Sequence, residues 1–131
     1  MKLVIVTVLF LLTAVPASAC GDGAVAQNLR LTAGVRAGLA DAYRAAHRQA
    51  PARPLAGHTW YGRFGDFEYA VATFDGRQAV YTRHHSRLWL LALETRGGSV
   101  CAAVVPAELL HGIWWWPRAH GACYSEPEPQ V

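Results

Sequence analysis

The sequence predicts an α+β fold: an N-terminal helix packed on a four- or five-stranded antiparallel sheet, followed by a short disulfide-clamped second helix. Three observations predict it. Apolar residues between Thr32 and Gln49 recur at helical spacing. From residue 58 to 95 the pattern switches to short aromatic and β-branched runs divided by turn residues. Pro106 then opens a further amphipathic run that Pro117 closes, and Cys101 and Cys123 bracket it.

In the first helix Val35, Leu39, Ala42, Tyr43 and Ala46 form one stripe, while Arg36, Asp41, Arg44 and Arg48 lie opposite. Such a stripe must bury against something. Thr32 suits the N-cap, because its hydroxyl can accept from an orphan amide of the first turn. The prolines of "APARPLAG" deny the helix further amide donors and end it. Four strands follow as a meander over 58–64, 67–74, 78–84 and 88–95, with separators "GD", "DGR" and "HHSR". In the second, Phe67, Tyr69, Val71 and Thr73 share one face and Glu68, Ala70, Ala72 and Phe74 the other. Both faces are apolar enough to need cover. A fifth strand over 99–105 precedes the second helix, with Pro106 in its first turn.

The first nineteen residues carry one basic residue, Lys2, then an apolar run to Val15 and the small-residue tract Ala17-Ser18-Ala19. This is the layout of an export signal, and Pro16 stops the run short of the roughly 20 residues a membrane span needs. The chain therefore divides into a signal at 1–19, a tether at 20–31, one domain at 32–124 and a disordered acidic tail at 125–131. The expected location is outside the cytoplasm, secreted or lipid-anchored at the outer face of the membrane.

Three cysteines leave one over. Pairing Cys101 with Cys123 in an oxidising compartment leaves Cys20 free. Cys20 directly follows the cleavage tract, so it is either acylated, as in bacterial lipoproteins, or left as a terminal thiol by plain cleavage. Ala17 stands where the lipoprotein pattern most often has leucine. An acyl anchor at Cys20 is the one membrane contact expected.

The series "TWYGRFGDFEYAVATF", "YTRHHSRLWLL" and "GGSVCAAVVPAELL", with a late cysteine, resembles small exported single-domain proteins of high-GC Gram-positive bacteria. The resemblance spans roughly residues 35–123. It implies export, a single domain and a Cys101–Cys123 bond; it brings no activity and no catalytic residue.

Little in the sequence points to chemistry. The net charge of +3 is spread over scattered arginines with no basic run, which excludes a nucleic-acid footprint. In "RHHSR" the adjacent His84 and His85 alternate faces if extended, so they cannot chelate one ion together without a turn. Glu108 and His111 supply a single E-x-x-H step, where a bridged di-metal site needs two. Ser86, Ser99 and Ser125 lie in no nucleophile motif. No metal, cofactor or catalytic residue is expected. A small hydrolase or metal-dependent enzyme using the His84/His85 turn is the alternative from another class, and a structural cell-envelope protein is a third.

The stretch "HGIWWWPRAH" carries the leading functional reading. With 100° between successive helical residues, Leu109, Leu110, Ile113 and Trp116 share one arc and Trp114 lies at its edge. Trp115 falls on the far side near His111, one indole more than the core can use. Trp115, Arg118, His120, His111 and Tyr61 are accordingly the candidate surface of a non-catalytic binding module, whose partner is an unidentified protein or cell-envelope polymer.

Overall fold

The computed structural model describes residues 24–48, 54–74, 76–85, 87–96 and 98–128. The segment expected to be an export signal, Cys20 and residues 129–131 lie outside them. Strand β1 (Ala26–Asn28) is followed by helix α1 (Ala33–Ala46). Strands β2 (Thr59–Phe64), β3 (Phe67–Phe74), β4 (Arg77–His84) and β5 (Leu90–Arg96) come next. They pair in the order β1-β2-β3-β4-β5, all antiparallel. Strand β6 (Ser99–Cys101), a π-helical turn (Glu108–Ile113), β7 (Arg118–His120) and β8 (Cys123–Ser125) complete the chain, with a second sheet ordered β6-β8-β7.

Among the described residues, two antiparallel sheets with one 14-residue α-helix and one six-residue π turn replace the expected α+β class. The reason lies after residue 100. The expected second helix is only the π turn, and the chain on either side of it forms strands of three residues. Strands that short carry no readable alternation and exist by pairing alone. The disulfide has a different role for the same reason. Cys101 and Cys123 are opposite residues of the β6–β8 ladder, so their bond staples two strands of the small sheet and clamps no helix to a sheet edge. With 22 residues of separation it contributes about 3 kcal/mol in the chain-entropy model.

Both ends of the domain also extend further than expected. Ala26–Asn28, within the segment read as a tether, pair with Gly62–Phe64. Ser125, at the start of the segment read as a disordered tail, closes β8, and Glu126 is clasped by three side chains: His58 Nδ1 at 3.0 Å, Trp60 Nε1 at 2.9 Å and Gln78 Nε2 at 3.1 Å.

The five-stranded sheet has a core on each face. Ala70, Ala72 and Phe74 of β3 join Ala79 and Tyr81 of β4 beneath Leu39 and Tyr43 of α1. The helix begins at Thr32, whose Oγ1 accepts from the Val35 amide at 3.2 Å. On the other face Val71 and Val80 meet Val100, Leu109, Leu110 and the Trp114 and Trp116 indoles. One strand thus feeds two interiors by simple alternation.

Candidate functional site

Leu110 begins the π turn with an α-type bond to the Pro106 carbonyl, but Trp114 reaches back five residues to Leu109 at 2.8 Å. The Trp116 amide then bonds the Leu110 carbonyl, also at 2.8 Å. These wide closures bring Leu109, Leu110, Trp114 and Trp116 onto the sheet together. Trp60 of β2 receives them, with its ring 6.2 Å from Trp114 and 5.8 Å edge-on from Trp116. Trp116 is fully buried and Trp114 is 3% exposed.

Between them Trp115 takes a left-handed φ of 60° and stands 77% exposed. Its outward position therefore comes from a local backbone reversal, not from the 100° step of an α-helix. The indole borders an open groove of about 560 Å³ that Asn28, Leu29, Leu31, Trp60 and Trp114 also line. The groove runs past the end of β1, the terminal strand of the sheet.

The other candidate residues fall in different places. His111 Nδ1 bonds the Trp116 carbonyl at 3.0 Å, and its ring stacks on Tyr124 at 5.6 Å. Arg118 lies over the same Tyr124 ring at 6.0 Å. These two make a second small cluster around Tyr124, and His120 is an exposed residue of β7. Tyr61 lines the groove but is only 7% exposed, and its hydroxyl donates to Glu68 at 2.6 Å. Its ring belongs to the core beneath α1, edge-on to Trp89 at 5.7 Å, and offers little surface to a partner.

The partners of Glu68 were not foreseen. Its alternation places a carboxylate on the apolar Ala70/Ala72/Phe74 face, and a buried charge requires pairing. That conflict is the signal from which the cluster could have been found. Arg83 and Arg63 both donate to Glu68, and Arg83 also donates to Tyr61 Oη at 3.2 Å. The Arg83 guanidinium lies 4.4 Å from the Trp89 ring centre. Burial alone would raise the Glu68 pKa, but the hydrogen bonds from Arg83 and Tyr61 outweigh it and hold the carboxyl below its ordinary value. Burial, with the Glu68 hydrogen bond and charge, pushes the Tyr61 hydroxyl up. A polar cavity of about 270 Å³ opens beside this network, lined by Arg63, Asp66, Glu68, Arg83 and His85.

His84 and His85 are not splayed. His85 adopts a φ of 45°, which supplies the turn an extended pair lacks, and the two ring centres lie 3.9 Å apart. Asp66 from the β2–β3 turn joins them, with one ligand atom from each of the three side chains within 4.8 Å of the others. Ser86 lies outside the described residues.

No protein-family model matches the chain, and no curated protein or solved structure matches it.

Proposed function

We propose that this chain is a non-catalytic, extracytoplasmic binding module that holds an extended peptide segment of a partner protein in the groove beside Trp115. The observation that carries this reading is the division of the three tryptophans. Trp114 and Trp116 are spent on the core, while Trp115 stands 77% exposed at the groove's rim on a left-handed backbone. An exposed indole against a concave surface is a strong protein contact, because tryptophan brings large area at low entropy cost.

The lining favours a peptide. Leu29, Leu31 and Ile113 provide apolar pockets, Arg30 adds a cation, and the groove borders the strand that ends the sheet. An extended segment with apolar side chains and an acidic residue complements that surface. The export signal and the Cys101–Cys123 bond support a site of action outside the cytoplasm. Anchoring through an acylated Cys20 would keep the module at the membrane face, and intact mass of the native protein distinguishes that from plain cleavage.

The test is to probe parallel arrays of peptides and of cell-envelope oligosaccharides with the wild-type protein and with Trp115→Asn. Asparagine removes the indole yet tolerates a left-handed backbone. Peptide binding weakened about tenfold or more, with an unchanged melting temperature, supports the groove. Equal binding by the variant, loss of folding, or capture on oligosaccharides alone overturns it.

A further inference from the structure

We propose that Asp66, His84 and His85 form a binding site for one divalent transition-metal ion of the zinc class. The placement begins with strand register. Strands β3 and β4 pair Phe67 with His84, so the residue before Phe67 and the residue after His84 meet at the same end of the ladder. Asp66 and His85 are those two residues. Two adjacent histidines on a regular strand would point to opposite faces. The left-handed φ of His85 breaks that alternation and swings its ring beside His84, to a centre separation of 3.9 Å. His84 is itself steadied by the Phe67 ring at 4.8 Å.

The three donor atoms lie within 4.8 Å of one another. Zinc takes imidazole nitrogen and carboxylate oxygen at about 2.0–2.2 Å, so donors sharing one ion stand roughly 3–3.5 Å apart. Closing the remainder asks about 1 Å of movement from Asp66 and His85, both exposed. Among the described residues, none of the three side chains makes a hydrogen bond or ion pair, so their lone pairs are unspent in the folded protein. Two neutral imidazoles and one carboxylate suit zinc, cobalt, nickel or copper; calcium and magnesium prefer oxygen sets.

Three protein ligands leave a coordination position open, and Asp66 and His85 both line the 270 Å³ cavity. Arg63 and Arg83 also line it, which would oppose a cation if they were unpaired. Both donate to Glu68, whose carboxylate cancels one of their two charges, and the Asp66 carboxylate supplies a second negative charge at the same cavity.

The experiment is a zinc titration of the purified, untagged protein carrying Cys20→Ser, so that no spare thiol competes. Calorimetry should show one zinc ion per chain, with a rise in melting temperature, and no response to calcium or magnesium at the same concentration. Asp66→Asn and His85→Asn should each weaken zinc binding about tenfold or more while melting like the parent without metal; asparagine keeps the left-handed turn at 85. His120→Gln, in a different part of the chain, should bind as the parent does. Absence of zinc binding, or affinity that neither Asp66→Asn nor His85→Asn changes, overturns the assignment. Asp66 lies in an exposed turn, so its variant keeps the test decisive if His85→Asn fails to fold.

Discussion

Gly62 lies where β1 and the π turn both close on β2, and Gly62→Ala tests how closely they approach. A methyl group at this position would lie 2.8 Å from the Gln27 carbonyl oxygen, 2.8 Å from Leu109 Cδ2 and 3.3 Å from Trp114 Cζ2. Comfortable carbon contacts begin near 3.5 Å, so about 0.7 Å must open against the backbone of β1 and the π turn at once. Neither can yield cheaply. The first obstacle is the main chain of a strand paired to β2, and the second is a fully buried leucine. Overpacking of this kind costs about 1–3 kcal/mol, partly offset by about 0.4–1 kcal/mol from a stiffer unfolded chain. A net loss of about 1–2 kcal/mol lowers the melting temperature by roughly 4–15 °C in a domain of this size. Gly112→Ala is the matched control, because its methyl group meets nothing within 4 Å. It should be neutral or raise stability by up to about 1 kcal/mol. Thermal and urea unfolding of the two variants beside the wild type measures both effects. If Gly62→Ala melts at or above the wild-type temperature, β1 and the π turn are not packed against β2 as described.

Two further expectations concern carboxylates held by several donors. Glu126→Ala strips the Trp60 indole and Gln78 amide of their acceptor, and each orphaned donor costs about 1–3 kcal/mol, so the variant should lose stability measurably in urea. Unchanged stability would show that the clasp on the tail is not formed. Glu68 has a folded pKa held below its ordinary value near 4.5, so its contribution is complete above that value and fades as pH falls through the folded pKa. Stability measured from pH 7 to pH 2 should fall more steeply for the wild type than for Glu68→Gln across the acid limb; parallel curves would remove the Glu68 network from the account.

The meander was legible because it obeys local rules. The strands expected at 58–64 and 67–74 end where β2 and β3 end, since "GD" turns the chain and alternation divides their residues between two cores. The helix was legible in its stripe and in Thr32. The three-residue strands were not, because β1 and β8 owe their existence to partners distant in sequence, and β7 forms only as the neighbour of β8. Missing β7 and β8 made the cysteines look like a clamp on a helix, when they occupy facing positions of a ladder. The site residues divide similarly. Counting indoles exposed a surplus at Trp115, but Tyr61 looked available only because its tie to Glu68 is set by strand register. For the histidine pair the sequence offers a turn over 84–87 but not its handedness, and the left-handed φ of His85 is what lays the two rings side by side.

That dihedral has a counterpart. Among the described residues, His85 and Trp115 alone hold a positive φ without being glycine. Such conformations cost about 1–3 kcal/mol each, and a glycine at either place would turn the chain for less. Core packing does not explain the choice, because both residues are exposed and neither ring belongs to either interior. What the two turns have in common is where they send the side chain. One lays an imidazole beside a second imidazole and a carboxylate; the other lifts an indole out of a tryptophan cluster to the rim of a groove. A fold that covers both faces of its main sheet has buried what it needs. Strain kept at two exposed positions then favours a use for the side chains themselves, and the proposed metal and peptide sites stand far enough apart in the sequence that substitution can test them one at a time.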